Sequence, residues 1–242
     1  MVRVVLAVVA GLGIARAAAA YPPYKSTDAD TADPWTLELR LGLFGIEREK
    51  SRNIYSAPLL RLNFGLPGSI EINSEFEYQP VDGRVAEAAL GAKWIPLVGK
   101  VSVGLEAVAL LPVSSAGGAG FEGALLTTVA AKPVSVHVNA SGYFDGRGAT
   151  NERGWKAGAI GEVRAGRFRP GVEMFAKGAV DEAVQVSAGA GVIVDLGPVD
   201  VRVGARLGLT AAAADFVTTL WFTTKVPFAS KVRAAPIAHN EW

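Results

Sequence analysis

Ser135, His137, Asn139 and Ser141 recur at every second position, so an extended chain sets all four on one face. A histidine among hydroxyl and amide side chains is the raw material of a nucleophile, a base and an orienter, as in an outer-membrane lipase. Neighbours on such a face lie about 7 Å apart, too far for a direct hydrogen bond without favourable rotamers. The face they share is polar, and lining a water-filled space is the better reading. A second pattern, Gly118-Ala119-Gly120-Phe121-Glu122-Gly123, matches the dinucleotide fingerprint GxGxxG. That fingerprint needs a helix after it to hold a pyrophosphate, and Leu125 to Lys132 continues a two-residue period instead. A glycine-rich loop is expected there.

The remaining chemistry-bearing residues are charges. Glu38, Arg40, Arg61, Glu71, Glu75, Glu77, Lys93, Glu106, Glu122, His137, Lys156, Glu162, Arg164, Arg169, Glu173, Arg202 and Arg206 fall on the polar faces of alternating segments and are the candidate lumen-lining set, with Glu87, Lys177 and Asp200 beside them. Two readings stand side by side. The charges line an aqueous passage and set its selectivity, or they pair across strands and fill a narrow interior. Acidic residues dominate the segment around Glu71 to Glu77 and basic ones the segment around Arg202 and Arg206, which allows a transverse field.

Composition narrows the chemistry further. With 24 Lys and Arg against 23 Asp and Glu, the chain carries a net charge of +1. Nucleic acid is therefore not an expected partner, because phosphate binding needs an excess of clustered cations. The absence of cysteine removes disulfides, iron-sulfur clusters, thiolate zinc sites and a thiol nucleophile. Two histidines, His137 and His239, are too few for a histidine-rich metal centre. No cofactor, no metal and no catalytic residue is expected.

These residues must be positioned by a sheet. Mean hydropathy is +0.28, a membrane-like value, yet no apolar run beyond the N-terminus reaches the about 20 residues a spanning helix requires. Hydrophobicity is instead interleaved with 28 glycines and with polar residues at a period of two. Leu37, Leu39, Leu41 and Leu43 alternate with Thr36, Glu38, Arg40 and Gly42, while Ile70, Ile72, Ser74, Phe76 and Tyr78 alternate with five polar residues. No helix sorts such a pattern into two faces. Strands are predicted at Trp35 to Ile46, Ile54 to Phe64, Ile70 to Gln79, Val85 to Trp94, Val101 to Leu111, Phe121 to Ala131, Val134 to Phe144, Trp155 to Arg164, Phe168 to Lys177, Val184 to Val194, Val199 to Leu209 and Phe216 to Phe228. That makes about twelve, an even number as in single-chain outer-membrane barrels. Pro58 and Pro170 fall inside predicted strands, where each removes a ladder donor, and read as bulges or strand ends.

Connections alternate in length. Tight turns such as Leu66-Pro67-Gly68 and Lys132-Pro133 lie at one end, and longer stretches such as Glu47 to Asn53, Ser114 to Gly120 and Gly146 to Gly154 at the other. Short periplasmic turns and longer extracellular loops are the habit of outer-membrane barrels. Aromatic residues gather at both rims: Trp35, Phe64, Trp94, Phe168 and Phe228 at the short-turn end, and Phe44, Tyr55, Tyr78, Phe121, Phe144, Trp155 and Phe216 at the other. Bilayer interfaces favour that placement, whereas a soluble core would draw its large rings to mid-strand. Trp221 and Phe222 are the exceptions. Lipid offers no hydrogen-bond partner, so every edge must be paired and the sheet must close.

The domain division follows. Residues 1–20, with Arg3, an apolar core from Val4 to Ile14 and small residues ending at Ala20, have the form of a cleaved signal peptide. Residues 21–34, rich in proline and aspartate, form a flexible N-terminal segment that dangles or plugs something. Residues 35–228 form the β-barrel, and residues 229–242 a C-terminal tail.

Several stretches carry a family resemblance. DTADPWTLELRLGLF from Asp30, APLLRLNFGLPGSIEI from Ala57, ALGAKWIPL from Ala89, VHVNASGYFDG from Val136 and GLTAAAADFVTTLWFTTKVPF from Gly208 together resemble the outer-membrane β-barrel transporter family labelled for a pathway of phenol degradation. The resemblance covers nearly all of the chain after residue 20, through strand and turn patterns of low individual specificity. It implies an outer-membrane barrel, passage of small organic compounds and no catalytic residue. The tail after Phe228 departs from that pattern, leaving Phe228 or Trp242 as the terminal aromatic recognised by the barrel-assembly machinery. The expected fold is therefore all-β, a single antiparallel transmembrane β-barrel in the outer membrane of a Gram-negative-type bacterium, in contact with the lipid bilayer. The expected function is a narrow channel for passive passage of small solutes, aromatic or hydrophobic ones included. A plugged structural or binding barrel and, further off, a lipase are the alternatives.

Overall fold

A computed structural model describes residues 22–114, 117–148 and 151–228. The signal-peptide and C-terminal-tail expectations lie outside the described residues. The alternating pattern yields strands throughout: β1 (Thr36–Glu49), β2 (Arg52–Ser56), β3 (Leu59–Leu66), β4 (Ile70–Gln79), β5 (Arg84–Leu97), β6 (Val101–Leu110), β7 (Gly120–Ala131), β8 (Val134–Asp145), β9 (Glu152–Val163), β10 (Phe168–Ala179), β11 (Gln185–Asp195), β12 (Val199–Gly208) and β13 (Phe216–Pro227). β1 pairs antiparallel with both β2 and β3, each strand from β3 onward pairs antiparallel with its successor, and β13 returns to β1 from Thr36↔Pro227 to Arg48↔Phe216. The sheet closes into a barrel.

The second predicted strand is divided. β2 pairs with one end of β1 and β3 with the other, so the two are halves of one stave and the barrel has 12 strands. Pro58 makes the break, because it has no N–H to give the ladder. Tyr78 ties the gap to β4 by accepting from Ala57 N and donating to the Pro58 carbonyl. Pro170 stays inside β10. It pairs with Val192 of β11, while the ladder to β9 begins only at Gly171, so the missing donor falls where it is not needed. Glu47 to Asn53, expected as a long loop, is instead a tight reversal around Lys50 (φ 52°) that lets β1 and β2 extend beyond the belt. At the short-turn end, Gly68 and Gly197 hold φ of 83° and 92°, which only glycine adopts without strain.

Burial sorts the two faces. Leu41, Leu105, Leu125, Val138, Val172, Val203 and Leu207 point outward and are exposed, as are Trp94, Phe168 and Trp155 nearer the rims. An exposed apolar belt running round a closed sheet is far larger than a soluble monomer tolerates, and hydrocarbon is the solvent that matches it. Trp35, Phe64 and Phe228 meet edge-on at one rim with centroids 6.3 and 5.9 Å apart. Phe121 and Phe144 stack at the other at 5.9 Å. Trp221, the mid-strand exception, turns inward and is buried over Gly42 and Leu59.

Candidate functional site

The interior is where the polar face goes. Because each strand alternates, one polar parity on twelve staves converges on a single axis, and the charges meet partners there. Arg40 bonds Glu38 at 2.6 Å, and Lys225 approaches Glu38 at 3.1 Å. Arg61 pairs with Glu75, Arg202 with Asp200 (3.2 Å), Lys156 with Glu122 (2.5 Å) and Lys177 with Glu152 (2.8 Å). Glu106 accepts from Asn73 Nδ2 at 2.8 Å, and Glu77 from Ser56 Oγ at 2.5 Å. Arg206 comes within 4.0 Å of Glu173. Arg169 is buried, whereas Arg164 lies past the end of β9 and is exposed. The parity that placed Arg164 inside stops with the strand, one residue short of it.

His137 does not assemble with its strand neighbours. Its Nδ1 lies 2.9 Å from Thr128 Oγ1 and its Nε2 3.2 Å from Glu162 Oε1. Thr128 Oγ1 already accepts the Ala29 N–H at 2.9 Å. The assignment satisfying all three contacts has Thr128 donating to Nδ1 and Nε2–H donating to Glu162. Asn139 instead donates to the Thr27 carbonyl at 2.8 Å, and Ser141 to Glu122 at 2.7 Å. Gly118 pairs with Gly146 between two loops at 2.8 Å, and Gly120 opens β7, so no helix follows the GxGxxG run. Among the described residues, no three histidine or carboxylate side chains form a metal-ligating group.

The feature the alternation could not show is the course of Pro22 to Pro34. This segment runs inside the barrel and touches the staves in order. Pro22 O accepts from Arg202 of β12 at 3.2 Å. Tyr24 hydroxyl donates to Gly191 O of β11 at 3.3 Å, and Lys25 N and Ser26 N donate to Glu173 of β10 at 3.1 and 2.6 Å. Asn139 of β8 and Thr128 of β7 hold Thr27 and Ala29. Lys93 of β5 donates to Thr27 Oγ1, Asp28 O and Asp30 O at 3.1, 3.4 and 3.3 Å, and pairs with Asp28 at 3.6 Å. Glu71 of β4 accepts from Ala32 N at 2.7 Å, and Lys225 of β13 faces Asp33 at 3.5 Å.

Lengths agree with one turn round the wall. Strands about 4.8 Å apart and tilted by about 40° close at a radius of about 12 Å. Allowing about 5 Å for wall side chains leaves a track about 44 Å round, and the segment extends to about 40 Å. It forms a hoop. Glycines make its bed: a methyl group added at Gly158, Gly171, Gly191 or Gly204 would overlap Ser26, Tyr24 or Pro23. Burial pushes the Tyr24 hydroxyl up, and burial followed by the charge of Asp28 pushes the Asp30 carboxyl up.

At the other mouth, Arg147 reaches from the loop after β8 to Glu87 on β5 at 2.5 Å and back to Asp145 at 2.7 Å. That loop crosses two staves.

No protein-family profile and no curated protein matches the chain. Solved structures do. The NanC porin superposes with a TM-score of 0.62 at 8% identity over 78% of this chain and 100% of its own. The COG4313 outer membrane channel from Pseudomonas putida F1 gives 0.62 at 8% over 84% and 100%. A KdgM porin in complex with disordered oligogalacturonate gives 0.58 at 10% over 80% and 99%. The chain has the fold of outer-membrane porin and channel barrels.

Proposed function

We propose that this protein is an outer-membrane channel of a Gram-negative-type bacterium, passing small organic solutes by diffusion through the barrel interior past the hoop. The observation that carries the reading is the interior itself: a closed barrel whose wall buries Arg40, Arg202, Glu38, Glu71 and Glu173 while its exterior is apolar. Charges so placed favour a hydrated path inside. The hoop is held by hydrogen bonds and ion pairs, and by packing of Tyr24 on Ile160 and of Ala29 on Ile95 and Leu126. Export through a cleaved signal peptide, folding by the barrel-assembly machinery and kinship with the phenol-degradation barrels all belong to this proposal. The seventeen lumen candidates act as lining and clamp, with Arg164 at the rim.

Purified protein in a planar bilayer should show small discrete conductance steps, enlarged when residues 21–34 are deleted. The hoop also favours a second reading, a barrel plugged for structure or binding. Steps that appear only after the deletion would select it, and silence from both proteins, with heat-modifiable gel migration intact, would rule out a channel. For the lipase reading, the hydroxyl nearest His137 is Thr128, and the Ala29 N–H already occupies it.

A further inference from the structure

Within the hoop, Lys25 alone is exposed, while Ser26 to Ala29 and Ala32 are buried and Asp30, Thr31 and Asp33 half-buried. Its main chain cannot wander. The N–H groups of Lys25 and Ser26 share the Glu173 carboxylate, and Arg206 stands behind that carboxylate. β10, which supplies this clamp, lies six staves from β4 in the closed order and so faces it across the lumen. Glu75 on β4 and Glu87 on β5 lie on that opposite arc, where Arg61 pairs with Glu75 and Arg147 with Glu87. A solute travelling along the axis would pass the exposed ammonium that this anchored main chain carries.

We propose that Lys25 is the specificity-determining residue of the aperture, admitting carboxylate-bearing small solutes past a wall whose own charges are mixed in sign and largely paired. This rests on the channel reading. Glu75 and Glu87 are engaged by Arg61 and Arg147, so a passing anion can engage the exposed Lys25 directly. A unit charge about 4 Å from a permeating ion in water changes its local concentration by about fivefold.

The test is the reversal potential of single channels in a potassium chloride gradient, for wild type, K25R, K25Q and K25E. K25Q should raise the potassium-to-chloride permeability ratio by about fivefold, K25E should raise it further, and K25R should match wild type. Benzoate, a carboxylate probe, should permeate more slowly through K25E than through wild type. Conducting channels whose reversal potentials are the same in all four proteins would overturn the inference and leave the channel reading standing. Silence from all four, each migrating as a folded barrel, would overturn both.

Discussion

Replacing Glu173 with alanine should release one end of the hoop without opening the barrel. The carboxylate accepts two backbone N–H groups, from Lys25 and Ser26, at 3.1 and 2.6 Å, and it is buried. Hydrogen bonds to a charged acceptor contribute about 1.5 to 3 kcal/mol each. The lower figure applies, because a released segment would be hydrated in the lumen, so the loss is about 3 kcal/mol. That is about 100-fold in the ratio of docked to released hoop. Two assays read it. Single-channel records should spend far longer in a larger conductance state, and trypsin should cut after Lys25 about 100 times faster, since a protease needs the main chain that Glu173 now holds. Heat-modifiable migration is the control for the barrel. A folded E173A variant with wild-type conductance and wild-type cleavage would refute the claim that the hoop is held by wall carboxylates.

Three further outcomes follow from the same geometry. Gly171→Val places a branched side chain where Tyr24 lies, so it should displace the hoop and enlarge the conductance; an unchanged trace from a folded barrel would show that the bed is not needed. Asp30 has its carboxyl raised in the docked state, so docking holds its proton more tightly than the free segment does and strengthens as pH falls through the raised value. Asp30→Asn should remove that contribution and leave the hoop tighter at neutral pH, read as a lower large-state probability and a flatter dependence on pH above the ordinary carboxylate range; parallel wild-type and variant curves would contradict it. Leu125→Lys puts a charge on the exposed apolar belt, costs about 2 to 4 kcal/mol at mid-bilayer, and should lower the folded fraction in liposomes while leaving solubility in urea unchanged.

Much of the barrel was legible because period-two patterning is a local property. Glu71, Asn73, Glu75 and Glu77 state their face without help from any other strand, and the polar partners on β5 and β6 repeat the statement. The strand count follows from the same repeat, and Pro58 shows how a missing donor divides one stave into β2 and β3 without changing the number of staves. Lys225 shares the inward parity of Trp221 and Thr223, a face that the mid-strand Trp221 marks and that the charges of the other strands do not reveal. The hoop was not legible. Pro22 to Pro34 has no periodicity, and its order comes from groups 147 to 180 residues away, such as Glu173 and Arg202. Composition alone reads that segment as flexible, since nothing within it supplies partners for its own N–H and carbonyl groups.

The hoop also resolves why the wall charges are mixed in sign. A barrel of about eight strands fills with its own side chains, but twelve enclose a gap that side chains alone do not close. Filling it with peptide brings orphan donors and acceptors together, so the wall must offer both kinds of partner. Carboxylates at Glu71 and Glu173 meet N–H groups, while Lys93 and Arg202 meet carbonyls. A pore selected only for one ion would need one sign, and a barrel sealed for rigidity would gain more from apolar contacts than from these. Alternating acceptors and donors along a path that rings the lumen is the pattern required to hold a peptide main chain, which makes the segment and the wall one device.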